Sequence, residues 1–216
     1  MKISKAILQT SNPDELTGFY SQVLQLKTDN SNDDTTITIG STELVFEQAG
    51  AADPFYHFAI NIPCNKIDEA GAWLTERVPL LFINDYQSEI ADFASWHARS
   101  AYFFDPAGNI VELIARFDLK NVTDEPFSSS QFLSINEIGI VTDTLEETTQ
   151  QLLEQYQLSY FDKQAPLPQF KAIGDDEGLF IVVPGNRNWY PTNKPSGDFP
   201  MEINFTSNGK NYQLKR

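Results

Sequence analysis

The segment FFDPAGNIVEL, residues 103–113, is the stretch of this sequence that decides its fold. Its centre, Asp105-Pro106-Ala107-Gly108, favours a tight turn because proline fixes one backbone angle and glycine accepts conformations that other residues avoid. The flanking residues 100–104 and 109–115 are rich in apolar and aromatic side chains, which is typical of strands. The segment therefore predicts a β-hairpin that carries one acidic side chain, Glu112, within an apolar strand.

The hairpin completes a unit whose order is strand, helix and two strands. Residues 55–62 are predicted to form the first strand, and residues 66–76 a helix with apolar side chains at helical spacing on one face. The same order is found near the N-terminus and again after residue 131. Its predicted elements there are a strand at 3–9, a helix beginning near Pro13, strands at 35–39 and 43–48, a strand at 135–142 and a helix at 145–156.

Further matches extend the repetition, because residues 173–180 follow the pattern of 39–46 and residues 202–204 that of 59–61. Internal repetition of one supersecondary unit predicts a fold assembled from modules. The polar, turn-rich segment 118–131 separates two such regions and is predicted to be a linker. We expect a complete two-module domain over 1–117, and a third module with a truncated fourth over 132–216.

Composition excludes several classes of protein. The chain has 216 residues, 41% of them hydrophobic, and its 30 acidic and 15 basic residues give a net charge of -15. Nucleic acid is not an expected partner, because binding phosphates requires a basic face. Cys64 is the only cysteine, so no intrachain disulfide can form and a reducing compartment is expected. With no apolar run suited to a signal peptide or a membrane helix, we expect a cytoplasmic protein that does not bind a membrane.

These segments resemble the vicinal oxygen chelate superfamily, which includes glyoxalase I, extradiol ring-cleavage dioxygenases, and the bleomycin and fosfomycin resistance proteins. The similarity is closest over residues 1–117 and rests on Phe19-Tyr20, on YHFAINIP at 56–63 and on the segment 103–113. The resemblance implies an α+β fold of repeated βαβββ modules. Their mixed sheets curl into a cup, and the helices lie outside it.

The resemblance also implies where a metal would bind, since metal-dependent members project ligands into the cup from the first and last strands of paired modules. The corresponding positions are His57 and Glu112 in the second module and Glu47 in the first. One imidazole and two carboxylates suit Fe, Mn, Ni or Zn and leave positions open for a substrate. The third module has Glu137 and Ile181 at these positions, so only the first cup is expected to hold a metal.

Lys5 occupies the remaining position, in the first strand of module one, where metal-dependent relatives place histidine or another ligand. Its ammonium would repel a divalent ion and can instead pair with Glu47 or Glu112. A buried, unpaired Glu112 would be costly, so a metal, Lys5 or His57 must compensate it. His57 can equally be a strand histidine that is satisfied by its neighbours.

Four further side chains are candidates for contact with a substrate. His97 lies in the long segment 84–99, which is predicted to be a lid or binding loop. It is either a loop histidine over the core or an acid/base group at the rim of the cup. Trp96, Tyr102 and Phe104 have the spacing of core residues, but strand alternation can also turn Tyr102 and Phe104 into the cup together.

Two functions follow from this pattern. The first is an enzyme of the glyoxalase or dioxygenase type, a lyase or dioxygenase for a small oxygenated or aromatic molecule. In it a divalent metal is held by His57, Glu112 and Glu47, and Glu112, Lys5 or His97 handles protons or substrate charge. The second is a metal-free binding protein similar to the resistance proteins, in which Lys5 neutralises the carboxylates. The incomplete second cup can serve regulation or dimerisation, since its sheet edge near the C-terminus needs covering; a homodimer is one such arrangement.

Overall fold

The computed structural model describes residues 1–31, 34–50 and 52–216, and it confirms the α+β class. The strands are β1 (Lys2–Thr10), β2 (Lys27–Ser31), β3 (Asp34–Ile39), β4 (Thr42–Gln48), β5 (His57–Ile62), β6 (Ile90–Phe93), β7 (Ala98–Phe104), β8 (Ile110–Arg116), β9 (Ser134–Val141), β10 (Lys171–Asp175), β11 (Gly178–Val183), β12 (Met201–Ser207) and β13 (Lys210–Lys215). The α-helices are α1 (Pro13–Gly18), α2 (Ile67–Thr75) and α3 (Leu145–Gln155).

The strands form two mixed sheets. One has six strands in the order β13-β12-β1-β4-β3-β2, and the other has seven in the order β10-β11-β9-β5-β8-β7-β6. The seven-stranded sheet curls into a half-barrel, the cup of the predicted fold. Within each of the first three modules the opening strand pairs in parallel with the last strand: β1 with β4, β5 with β8, and β9 with β11.

The sheets do not follow the predicted division of the chain. Module two shares its sheet with module three through the antiparallel pair β5–β9, and module one shares its sheet with module four through β1–β12. The reason is that an opening strand bonded to its own last strand still has one free edge. The segment 118–131 is short enough to bring β9 back to the free edge of β5.

The concave face of the seven-stranded sheet is covered. β1 alternates buried and exposed side chains, as expected for a strand with one covered face, whereas β5, β8 and β11 are buried along their whole length. A second apolar cluster on that face includes Tyr102, Phe161 and Trp189. Phe161 and Trp189 come from connections rather than strands, so the loops after α3 and after β11 roof the cup.

The helices are short and lie outside the sheets. α1 begins as predicted, because the Asn12 side chain accepts a hydrogen bond from the Glu15 amide and Pro13 occupies the first turn. A π-helical turn, Phe19–Val23, continues it and buries Tyr20. None of the helices in the described ranges has the length and apolar character that crossing a bilayer requires.

Most predicted elements agree with the structure to within a few residues, and the three unpredicted strands in the described ranges, β2, β6 and β13, are edge elements. β2 has the polar sequence KTDNS and ends its sheet. β6 lies within the segment 84–99, which was predicted as a loop, and it ends the other sheet. An edge strand buries little apolar surface, so its sequence lacks the alternation that marks a covered strand.

Candidate functional site

The curled sheet encloses a cavity of about 310 Å³. This volume is at the lower end of the range of roughly 300–1,000 Å³ that is typical of small-molecule pockets. The lining residues are His57, Phe93, Ser95, Trp96, Tyr102, Glu112, Ile114, Glu137, Gln164, Leu167, Phe170, Ile181, Arg187, Trp189 and Tyr190. One histidine, two glutamates and one arginine therefore converge on a wall that is otherwise largely aromatic and aliphatic.

Three of these groups come from the three central strands of the cup. In the register of the sheet, Glu112 on β8 and Glu137 on β9 both lie opposite Ala59 on β5, and His57 precedes Ala59 by two residues on the same face. One ligand atom from each side chain lies within 4.8 Å of the others. Among the described residues this is the only such group of three histidine, cysteine or acidic side chains.

His57 presents an unprotonated nitrogen to the cavity. Its Nδ1 lies 3.1 Å from the Ile110 carbonyl oxygen, and because a carbonyl can only accept, Nδ1 carries the hydrogen. Burial lowers the pKa of His57 to about 4, and the nearby Arg187 charge also lowers it. At neutral pH the ring is therefore neutral, and the Nε2 lone pair faces Glu112 Oε2 at 3.6 Å.

The two buried carboxyl groups differ in their surroundings. Burial, and then the neighbouring Glu137 carboxylate, raise the pKa of Glu112 well above its ordinary range. Burial also raises the pKa of Glu137, but the Arg116 guanidinium opposes it by direct contact. Glu112 is therefore the carboxyl group that more readily keeps a proton when no cation is near.

Arg116 is the buried cation of the site. It is fully withdrawn from solvent at the end of β8. Its Nη2 donates to Glu137 Oε1, and its Nε donates to Asn136 Oδ1 at 2.7 Å. The Phe161 ring lies 5.4 Å from the guanidinium carbon. Arg116 therefore fixes the Glu137 carboxylate and balances one of the two negative charges.

Aromatic rings hold His57 from both sides. Its ring centroid lies 5.1 Å from that of Trp189 and 6.5 Å from that of Tyr102. Trp189 reaches this position because Gly139 on β9 has no side chain, and a Cβ there would lie 2.5 Å from the indole. The glycine thus admits the indole that forms one wall of the cavity.

The structure separates Glu47 and Lys5 from His57 and Glu112, although the resemblance implied that all four converge. Glu47 is exposed on β4, in the six-stranded sheet. Lys5 lies in the same sheet on β1, with its Nζ 3.7 Å from Glu43 Oε2. The cause is the pairing of the modules, since the cup that contains His57 is closed by module three. The ligand position in the first strand of module three is occupied by Glu137.

The remaining predicted residues are divided between the cavity and the surface. Tyr102 and Trp96 line the cavity, and the Trp96 indole nitrogen donates to Gln164 Oε1 at 3.0 Å. Phe104 is 40% exposed at the end of β7 and does not line the cavity. His97 is exposed outside it, and its Nδ1 lies 3.0 Å from Asp118 Oδ2.

Sequence reasoning missed several residues of the site, which lie in the cavity wall or directly behind it. Glu137 was aligned with the ligand positions but assigned to a different cup. Strand alternation could have predicted the direction of Arg116. It follows Glu112 by four residues in the same strand, so both side chains lie on the same face of the sheet. Trp189 and Arg187 lie in an irregular connection, where no hydrophobic periodicity indicates which way a side chain points. Only the folded arrangement brings them to the site.

The residues present fit a divalent metal with three protein ligands. A neutral imidazole nitrogen and two carboxylates form a donor set that Fe, Mn, Ni and Zn all accept. The three candidate ligand atoms lie within 4.8 Å of one another. The remaining ligand position, in the last strand of module three, is occupied by Ile181, which offers no ligand atom. A metal would therefore be open to another molecule on the side of Ile181.

Solved structures of known proteins share this fold. A candidate dioxygenase from Bacillus subtilis subsp. subtilis str. 168 aligns with a TM-score of 0.60 and 16% identity over 100% of this chain and 66% of that one. Glyoxalase I from Zea mays aligns with a TM-score of 0.55 and 14% identity over 90% of this chain and 70% of that one. The chain thus spans just under two thirds of the length of the Bacillus protein.

No protein-family model and no curated protein matches the sequence. The likeness is therefore one of architecture, in which repeated strand–helix–strand modules form two mixed sheets. By its fold, the chain is similar to the candidate dioxygenase of Bacillus subtilis and to glyoxalase I of Zea mays.

Proposed function

We propose that this chain is a small-molecule enzyme of the glyoxalase or dioxygenase type, in which His57, Glu112 and Glu137 hold a divalent metal in the cup. One observation carries the proposal. The Nε2 lone pair of a neutral His57 faces a carboxylate oxygen at 3.6 Å, too far for an ordinary hydrogen bond. Two electron-rich atoms in this arrangement are compatible when a cation lies between them or when Glu112 is protonated.

The chain's own residues would prepare such a site. The Ile110 carbonyl holds His57 in the tautomer that leaves Nε2 free. Arg116 holds Glu137 through one carboxylate oxygen and leaves the other available. A bound metal would act as a Lewis acid toward a carbonyl or a pair of vicinal oxygens. Trp189 and Tyr102 would confine a flat molecule beside it.

Metal analysis tests the proposal. Protein purified without chelators is expected to contain about one divalent metal per chain, and His57→Ala and Glu137→Gln should each weaken its binding at least about tenfold, as is usual for the loss of a ligand or its support. Glu47→Gln is the matched control, because Glu47 was predicted as a ligand but lies exposed in the other sheet. The proposal fails if Fe, Mn, Ni and Zn all fail to bind, or if Glu137→Gln binds metal as the parent does.

The two enzyme types can then be separated by their reactants. Oxygen uptake with a panel of vicinal diols would support dioxygenase chemistry, and consumption of the adduct of glutathione and a 2-oxoaldehyde would support lyase chemistry. The names of the structural neighbours motivate this panel. If the metal-loaded protein acts on neither class, the enzyme assignment fails even if the metal site stands.

A metal-free binding protein is the second candidate, and the contact between Arg116 and Glu137 favours it. With that ion pair formed and Glu112 protonated, the site is balanced without a metal. The sequence assigned this neutralising role to Lys5, which instead lies beside Glu43. Ligand binding that is unchanged after chelation, in a protein that carries no metal, would support this candidate.

A cytoplasmic location and a homodimer are also part of the proposal. The dimer can be tested by light scattering coupled to size-exclusion chromatography at several protein concentrations. A mass of about 24.4 kDa at every concentration would contradict the dimer, because this is the mass of one chain.

A further inference from the structure

Arg187 is a cation in the wall of the cup that the proposed metal site does not use. It lies in the connection that follows β11, and it lines the same cavity as His57 and Glu112. Its guanidinium carbon is 5.2 Å from the centre of the Phe170 ring, which also lines the cavity.

Arg187 has no acidic partner among the described residues. The other four arginines each pair with a carboxylate: Arg77 with Glu76, Arg99 with Asp68, Arg116 with Glu137 and Arg216 with Asp198. Within residues 1–31, 34–50 and 52–216, the side chain of Arg187 makes a single hydrogen bond, from Nη1 to the Asn188 carbonyl oxygen at 3.3 Å. In a chain with 30 acidic and 15 basic residues, an arginine left without a carboxylate is unexpected.

This isolation has a physical cost that a ligand can offset. Arg187 is half-buried, and burial lowers its pKa because part of its hydration is lost. A guanidinium retains several donors in a planar fork, and this geometry matches the two oxygens of a carboxylate. A single guanidinium suits one carboxylate better than a dianionic phosphate, which usually recruits several donors.

The other walls of the cavity indicate the rest of the ligand. Six aromatic side chains surround it: Phe93, Trp96, Tyr102, Phe170, Trp189 and Tyr190. The Tyr190 hydroxyl is buried and has no hydrogen-bond partner among the described residues. Aromatic walls favour a flat ring, and a free hydroxyl favours one further polar substituent.

We propose that Arg187 is the anion-binding residue of the cup and that the natural ligand is a flat aromatic or unsaturated molecule with a carboxylate. This proposal adds a ligand class to the proposed function, and it rests on that function only because both use the same cavity. The carboxylate would be bound by Arg187 in the roof, and the ring would lie between Trp189 and Phe170. The opposite end of the ligand would face His57, Glu112 and Glu137.

The test compares two probes of nearly equal shape, benzoate and benzamide, by titration calorimetry on the full chain. Protein stripped of metal by a chelator is used first, so that a bound metal cannot attract the carboxylate. We expect benzoate to bind at least about tenfold more tightly than benzamide, because a charged hydrogen-bonded pair in a partly buried site contributes that much. Arg187→Gln should reduce the preference to about one, and Arg187→Lys should restore part of it.

Arg99→Gln is the matched control, because Arg99 lies outside the cavity and its removal also takes one positive charge from the chain. It should keep the preference for benzoate. Circular dichroism and the melting temperature establish that each variant is folded, and the comparison of the two probes on the parent protein needs no variant. The inference is overturned if the parent binds neither probe at millimolar concentration, if it binds both equally, or if Arg187→Gln keeps the preference.

Repeating the titration on metal-loaded protein separates the two proposals. If no metal binds but benzoate is preferred through Arg187, the metal site fails and this inference stands. If metal binds to His57, Glu112 and Glu137 but the preference is absent, the inference fails and the metal site stands.

Discussion

Arg116 is the largest side chain that folding withdraws completely from solvent in the described ranges. It contacts Asn136, Glu137 and the rings of Trp96 and Phe161. A buried charge of this kind is tolerated because its hydrogen bonds and its counter-charge replace the lost water. It also stabilises the ionised form of Glu137 inside the cup. Arg116 is thus a positioning residue, and its first role is in the stability of the fold.

Arg116→Met is expected to lower the free energy of unfolding by about 3–5 kcal/mol, because it leaves the Glu137 carboxylate buried without its partner. Urea unfolding followed by circular dichroism measures the change. The double variant Arg116→Met/Glu137→Gln should recover part of it. Arg99→Met is the control, since its partner Asp68 is largely exposed and such pairs contribute at most about 1 kcal/mol. Equal losses in Arg116→Met and Arg99→Met would contradict the prediction.

Asp105, in the turn of the β7–β8 hairpin, gives stability a dependence on pH. Burial raises its pKa from 3.8 to about 6, although Asn109 and Tyr20 donate hydrogen bonds to it. The folded chain therefore holds this proton more tightly than the unfolded chain. Its stabilising effect is present at acidic pH and is lost as the pH rises through about 6.

Asp105→Asn tests this dependence, because the unfolding free energy of the parent is compared with that of the variant at each pH. The contributions of the other acidic groups are the same in both proteins and drop out of the comparison. Between pH 5 and pH 7.5, the parent should lose about 1–2 kcal/mol of unfolding free energy relative to the variant. Both pH values lie above the isoelectric point of the chain, which is about 4.4. Asp124→Asn, on an exposed side chain, controls for the change in net charge. A difference between parent and Asp105→Asn that stays constant with pH would refute the assignment.

At the scale of elements, the pairing of β5 with β9 determines the composition of the site. Local patterns predicted the hairpin at 103–113, the helices and most strands, because alternation and turn chemistry are properties of neighbouring residues. They could not predict which free edge β9 would join, because several open edges accept an antiparallel strand equally well. The sequence therefore led to His57 and Glu112 but to Glu47 in place of Glu137. Loop-borne residues such as Arg187 carried no periodic signal at all.

Gly139 on β9 shows how one strand position shapes the cavity. Gly139→Ala would place a methyl group 2.5 Å from the Trp189 indole. We expect the ring to be displaced from His57, with a loss of about 1–3 kcal/mol from overpacking. Tryptophan emission should shift to longer wavelength, and urea unfolding should show the loss. Gly18→Ala is the control, because Gly18 has a helical backbone and nothing lies within 4 Å of its added Cβ. Unchanged emission and stability in Gly139→Ala would contradict this.

At the scale of the whole molecule, each sheet crosses the boundary predicted at residue 117. The strands of residues 1–117 contribute β1–β4 to one sheet and β5–β8 to the other, and each half-sheet is completed by strands from residues 132–216. The edges of β1 and β5 are thus both covered by the second half of the chain. Whether 1–117 is an independent domain stays a prediction, and the pairing supports the opposite expectation.

Separate expression of residues 1–117 and 118–216 tests that expectation. Neither fragment should unfold cooperatively by itself, because each exposes long unpaired strand edges and half of the shared core. Mixing the two should restore cooperative unfolding and the tryptophan emission of the intact chain. A fragment 1–117 that unfolds cooperatively with a steep urea dependence would instead establish it as an autonomous domain.

The antiparallel contact of β1 with β12 joins segments from opposite ends of the chain. During synthesis, the strands β5, β8 and β9 that carry His57, Glu112 and Glu137 leave the ribosome well before β12. The cup can therefore begin to assemble while β1 still lacks its partner. In that interval the edge of β1 is open to neighbouring nascent chains. Pairing of β12 with β1 covers this edge and ends the exposure.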